Sequence, residues 1–370
     1  MSPRKTFFTV LAALSIFLTS NVAARSQAPA PQEIVKKMAE KYAALASYQD
    51  SGVVESASDK PLPRRGTVNS FKTYFTRPNK LRFEWIDYQS PFSDQRNLIW
   101  SDGLKAVSVH AYEPGKIETK EDIASAVAGA TGVSRGAAFT IPNLLISEIG
   151  GFSLTELTKL SVKKQEVFED ENCYLIEGYH PNGEAWQLWI STKDFLLRKL
   201  RHTSLGDEFE EEIHRDIKVD EKIADTIYQP KMVNGRITDA ITKEKESDIR
   251  ALLELVVPRD RMNQRFNDLL GLLKVAMPQV PEKTWQEVFA EVRFDSNMML
   301  EVYVPLYDWH YTHDEIKQLI KLYESPLGRK LGNNSEFIEL QATRSGEKMG
   351  EELIKRVQEK LKAKGYKSAA

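Results

Sequence analysis

Cysteine is almost missing from this chain: Cys173 is the single one in 370 residues. A disulfide framework is excluded, so the fold must rest on its apolar core, and Cys173 reads as a small buried core residue. Catalytic signatures are missing too. The sequence holds no Gly-x-Ser-x-Gly elbow, no glycine-rich phosphate loop, no His-Glu-x-x-His pair and no Cys-x-x-Cys. Without a nucleophile paired to a base, no enzyme is expected, and no cofactor is implied. The net charge of -2 lacks the basic footprint of a nucleic-acid binder. Beyond residue 19 no run approaches a transmembrane span, so any membrane contact is expected to be peripheral at most.

Charge itself runs out in one place. The chain is 28% charged, yet between Ile123 and Ser147 the only charged side chain is Arg135. Pro142 suits the first turn of a helix there, and Gly150-Gly151 suits its end. Two short uncharged helical pieces are therefore expected midway through a sheet. Either something apolar covers them or they cover something apolar.

The N-terminus reads as a targeting segment. Arg4-Lys5 precede an apolar run from Thr6 to Thr19, and Val22-Ala23-Ala24 offers a small-residue cleavage site, which defines a signal peptide at residues 1–24. A helix follows at about Gln32 to Ala46, with Ile34, Val35, Met38, Tyr42 and Leu45 on one face. Then the period falls to two. Strands are expected at Ser47–Ser56, Gly66–Pro78, Leu81–Trp85, Arg96–Trp100 and Leu104–Tyr112, with Arg82 and Glu84 facing away from Leu81, Phe83 and Trp85. After the uncharged insertion the meander resumes at Leu160–Glu169, Asn172–Tyr179, Glu184–Ser191, Leu196–Thr203 and Asp207–Val219. Pro181-Asn182-Gly183 is the strongest hairpin signal. Such alternation suits an antiparallel sheet with one wet and one dry face.

From Asp239 onward helical periods replace strands, near Asp239–Val257, Arg259–Met277, Pro281–Val304, His313–Tyr323 and Leu327–Lys364, the last with a break at Gly332. Thr312 and Glu315 have capping-box spacing. His310 and His313, beside Asp308, Asp314 and Glu315, form the best metal candidate, but a helix start explains them better, so no metal is expected. His202 and His214, close in sequence to Glu208, Glu210, Glu211 and Glu212, read as a solvated sheet face.

Two stretches carry resemblances. Tyr42 to Val54, together with Phe71 to Trp85, resembles the outer-membrane lipoprotein-sorting superfamily, the LolA-like proteins, across roughly residues 30–235. That resemblance implies an unclosed antiparallel half-barrel, helices on its concave side and an apolar cavity for acyl chains. Val304 to Leu331, with Tyr307, Thr312, Glu315, Tyr323, Glu324, Ser325, Pro326 and Gly328 in order, resembles DUF2059, exported helical domains of unknown function. It implies an envelope location and no activity.

The expected fold is α+β: an N-terminal half-barrel with a helical lid at residues 30–236, a linker at 237–246 and an all-α bundle at 247–366. Phe71, Phe75, Leu81, Phe83, Trp85, Trp186, Leu188 and Ile190 are the candidates to line a lipid-binding cavity. Phe139, Ile141, Leu144, Leu145 and Ile146 would form its lid. The same residues could equally make an ordinary packed core. The implied function is a non-catalytic periplasmic carrier or sensor of a lipid, or of the acyl chain of a lipoprotein, with an envelope protein as a partner for the helical domain. The alternative is an envelope interaction protein with a filled barrel and no ligand.

Overall fold

A computed structural model describes residues 29–58, 65–90, 96–113, 115–203, 208–233, 236–237, 241–256, 271–272, 274–291 and 296–364. The signal peptide read at residues 1–24, and most of the helix read at 259–277, lie outside the described residues. The chain divides into two compact units, one ending at Asp239 and the other beginning at Ala240.

The first unit opens with helix α1 (Pro31–Ala44), started by proline in its first turn. Its apolar stripe is the expected one: Ile34, Val35, Met38 and Tyr42 are buried, with Leu45 just beyond. Eleven antiparallel strands follow: β1 (Ser47–Ser58), β2 (Arg65–Thr76), β3 (Lys80–Asp87), β4 (Asn97–Asp102), β5 (Ala106–Val109), β6 (Glu118–Lys120), β7 (Thr158–Phe168), β8 (Glu171–Tyr179), β9 (Ala185–Ser191), β10 (Leu197–Thr203) and β11 (Glu208–Val219). Their order in the sheet is β6-β5-β4-β3-β2-β1-β11-β10-β9-β8-β7. The first and last strands thus pair at the centre, Tyr48 opposite Val219 and Gly52 opposite His214. The sheet does not close, because β6 and β7 are its two edges. The α+β half-barrel read from the sequence is the architecture found. The three-residue β6 was not legible, being Glu-Thr-Lys with no apolar alternation.

Between the two edge strands run helices α2 (Ile123–Thr131) and α3 (Ala137–Leu145). Asp122 caps α2 by accepting from Ser125 N at 2.7 Å, which holds its carboxyl below the usual range. Pro142 departs from expectation, since it is the sixth residue of α3 rather than part of its first turn. The helix starts earlier because Gly136 takes a left-handed φ of 93° as its N-cap, and it ends at Leu145, well before Gly150.

The opposite face of the sheet is also covered over β3 to β5. Leu98, Trp100, Val107 and Val109 pack there with Met232 and Ile237 of a small hairpin, β12 (Met232–Val233) and β13 (Arg236–Ile237). Arg82 and Glu84, read as facing away from the core, are buried under this cover. Their burial is offset by partners: Arg82 Nε donates to Glu84 Oε1 at 2.6 Å, and the Arg82 guanidinium also donates to Ile227 O at 2.8 Å.

In the second unit the described helices include α4 (Lys243–Val256), α5 (Glu282–Glu291), α6 (Ser296–His310), α7 (His313–Glu324) and α8 (Pro326–Ala363). Ile249, Leu252, Leu253, Val304 and Ile316 form its core. The helix read at Pro281–Val304 overlaps α5 and α6, with residues 292–295 outside the described residues. α8 runs unbroken through Gly332, where a Cβ would sit 3.9 Å from the Tyr323 ring. Thr312 caps α7 in a capping box with Glu315, as its spacing suggested. Gly328 allows the tight corner between α7 and α8: a Cβ there would lie 1.8 Å from Leu322 O.

One close approach in the sheet makes a stability test. A Cβ on Gly52 would lie 2.1 Å from Phe71 Cζ and 2.5 Å from Ile213 O. Gly52→Ala is expected to destabilise the first unit by roughly 2 kcal/mol, as overpacking does. The urea midpoint measures it, and an unchanged midpoint would show that Phe71 moves aside freely.

Candidate binding face and its helical cover

Strand alternation selects which side chains meet α1, α2 and α3. On β2 and β3 the register sets Phe71 opposite Trp85, Thr73 opposite Phe83 and Phe75 opposite Leu81. On the other wing Leu188 lies between Ile176 and Leu200. Seven of the eight residues named as cavity lining, Phe71, Phe75, Leu81, Phe83, Trp85, Leu188 and Ile190, are buried in one cluster with the helices. Trp186 is half-buried at its rim, stacked between His180 and His202 at 5.6 and 5.0 Å. Of the lid residues, Ile141, Leu144, Leu145 and Ile146 join the same cluster, and Phe139 is partly buried against it.

This packing is dense. Phe75, Leu81, Phe83, Leu188 and Ile190 are 0% exposed, so no space large enough for water touches them. A cleft of about 410 Å³ does lie at one end of the cover, lined by Trp85, Asp87, Asn97, Tyr112, Arg135 and Glu210 among others. Arg135 stands in the α2–α3 connection, at a left-handed φ of 55°. It donates to Glu210 Oε1 at 2.6 Å and to Gln89 Oε1, tying the cover to the sheet.

The concave face also carries charge, which the sequence reading put elsewhere. Glu210, Glu212 and His214 were read as solvated, but all three point inward and are buried. The reason is topological: β11 is central, and its inward register positions face Val54 and Gly52 of β1. Burial of such groups requires partners. Nδ1 of His214 lies 2.8 Å from Asp50 Oδ2, which also accepts from the Tyr48 hydroxyl at 2.7 Å. Nε2 lies 3.1 Å from Glu212 Oε1. Glu212 Oε2 in turn accepts from the Thr140 hydroxyl of α3 at 2.8 Å. A chain of polar contacts therefore links the lid to the middle of the sheet. Burial pulls the His214 imidazole down, but its hydrogen bonds to Asp50 and Glu212 and their charges outweigh it, raising the group to about 9. His202 is half-buried on the Trp186 ring, 3.9 Å from Glu210.

The ring nitrogens of His214 face Asp50 and Glu212 inside a buried cluster, so neither is open to a substrate from solvent. Cys173 is buried with Leu175 and Trp189 in a separate small cluster, its thiol pushed up to about 11 by burial. In the helical unit His313 pairs with Asp248 at 2.7 Å, and among the described residues no group of three or more His, Cys, Asp or Glu is placed to hold a metal ion. No helix among the described residues is long and apolar enough to cross a membrane.

Comparison with known proteins gives two family matches. The family described as "Predicted periplasmic protein (DUF2092)" matches residues 26–235, and "Uncharacterized protein conserved in bacteria (DUF2059)" matches residues 297–360. No curated protein matches the chain. Similar solved structures include a LolA superfamily protein from Nitrosomonas europaea, 13% identical over 54% of this chain and 98% of that one, with a TM-score of 0.26. The lipoprotein LppX of Mycobacterium tuberculosis is 13% identical over 54% of this chain and 99% of its own, at a TM-score of 0.34. A chain of the Pseudomonas aeruginosa MucA/MucB complex is 9% identical over 56% and 62%, at 0.33.

The His214 cluster makes stability depend on pH. The folded-state value, about 9, lies above the unfolded 6.5, so the stabilisation is complete below about pH 6.5 and is lost as pH rises through about 9. The loss is expected to be on the order of 3 kcal/mol, from about 1.4 kcal/mol per pH unit. His214→Gln should flatten the profile between pH 6.5 and 9.5, read by urea unfolding at each pH.

Proposed function

The chain belongs to the DUF2092 family of predicted periplasmic proteins, and from that premise we propose a non-catalytic envelope carrier or sensor that takes an acyl chain beneath α2 and α3. The observation that carries this reading is the cover itself. It is short, uncharged except for Arg135, and inserted between the two free edges of an apolar half-barrel. The packed state described above is then the closed one, with the lid side chains filling the site. Phe71, Phe75, Leu81, Phe83, Trp85, Trp186, Leu188 and Ile190 would line the site, and Phe139, Ile141, Leu144, Leu145 and Ile146 would yield to the ligand.

Magnitudes support an exchange of this kind. Burying a sixteen-carbon chain is worth on the order of 12 kcal/mol, at about 0.8 kcal/mol per methylene. A bilayer offers much the same, and so do the lid side chains that the ligand displaces. Small polar ties can therefore tip the balance in either direction. On this reading residues 1–24 are an export signal, the half-barrel domain spans residues 30–236, and residues 247–366 form a docking or regulatory domain. The completeness of the core favours a second reading, an envelope interaction protein whose barrel needs no ligand.

Binding of a neutral fluorescent acyl probe, with native mass spectrometry of protein purified from membranes, separates the two. A carrier takes up the probe and co-purifies with lipid. Arg135→Ala removes an ion pair worth about 1 kcal/mol at a half-exposed site, so uptake should rise up to about fivefold. Absence of probe binding in both proteins, with no lipid in the spectra, would leave only the interaction reading.

A further inference from the structure

The floor beneath α3 is not uniformly apolar. Asp50 and Thr73 face each other across β1 and β2, while Asn69 and Glu212 flank Val54 on either side. All belong to the inward register and are at least nine-tenths buried. Asp50 Oδ1, Thr73 Oγ1 and both side-chain polar atoms of Asn69 have no hydrogen-bond partner. Leaving buried polar groups unpaired is costly, and natural cores rarely keep several together. Glu212 Oε1 and His214 Nε2, 3.1 Å apart, face only each other, while Glu212 Oε2 is served by a donor that α3 brings with it, the Thr140 hydroxyl.

We infer that the ligand of this face is an uncharged acyl lipid carrying a hydrogen-bond donor, an amide N–H or a hydroxyl, next to its chain. The inference rests on the carrier reading above and names its ligand class. A molecule that displaces α3 removes the Thr140 hydroxyl from Glu212 and must supply a donor in its place. Donors also suit Asp50 Oδ1, while a hydroxyl or carbonyl oxygen can accept from Asn69 Nδ2 or Thr73. A free fatty acid fails on two counts. Its carboxylate has no proton to give, and it would meet Asp50 and Glu212, two carboxylates against the single His214 cation. A simple ester brings no donor at all.

Four competitors of equal chain length test this against a bound neutral acyl probe: monopalmitoylglycerol, palmitamide, palmitic acid and methyl palmitate. The first two are expected to displace the probe at concentrations at least about tenfold lower than the last two, the discrimination that a charge-assisted buried hydrogen bond gives. Glu212→Gln should shrink the ratio of glyceride to acid below about threefold. Thr73→Val keeps the side-chain shape, removes an atom without a partner and should weaken the glyceride selectively, so a poorly folding Glu212 variant does not end the test. Equal displacement by all four, unchanged in both variants, overturns the inference and leaves the carrier reading standing. If the probe never binds, the carrier reading falls and takes the inference with it.

Discussion

An antiparallel sheet that stops short of closing has a concave face which cannot be left wet when it is lined with Phe71, Phe83 and Trp85. The rest of the first unit follows from that constraint. Strands β6 and β7 are neighbours in sequence but opposite edges in space, so the segment joining them has to cross the open side. A crossing over such a surface must itself be apolar, which accounts for the near absence of charge from Ile123 to Ser147. α1 fills what the crossing leaves, with Tyr42 reaching far enough for its hydroxyl to accept from Leu197 N at 3.2 Å.

Much of this could be read from the chain because period and composition are local signals. The α1 stripe, ten of the eleven strands and the inserted helices each announce themselves within a dozen residues. What could not be read is which face of a strand is inside. In Glu208–Val219 alternation separates Glu210, Glu212 and His214 from Glu211 and Ile213. The natural guess puts the charged set in water. Only the pairing of β11 with β1, residues some 160 positions apart, shows that the set lies within. Arg82 and Glu84 misled in the same way, since the hairpin that covers them is two short strands with no pattern to detect. The candidate lining and lid residues were nameable from alternation, whereas the polar floor beneath them was not.

That floor changes how the core should be regarded. Aromatic and aliphatic side chains supply the bulk of the burial, but they are interchangeable in what they attract. Asp50, Glu212 and His214 are not. Held in fixed positions among Phe71 and its neighbours, they demand particular complementary atoms and penalise others. On the carrier reading proposed above, affinity and selectivity would reside in different parts of one surface, the first spread over many side chains and the second concentrated in a few.

The central pairing of β1 with β11 has a further consequence, for the order of assembly. As the chain emerges from its N-terminus, β1 through β6 can zip into a meander by short hairpins, yet β1 keeps an unpaired edge until residue 219 is available. Closing so long a loop is slow relative to local pairing. Throughout that interval the half-sheet exposes both an aromatic face and a hydrogen-bonding edge, the combination most prone to joining a second copy of itself. The unit is therefore most vulnerable when three-quarters made, and a chain truncated before β11 is a candidate for aggregation rather than for a smaller working domain.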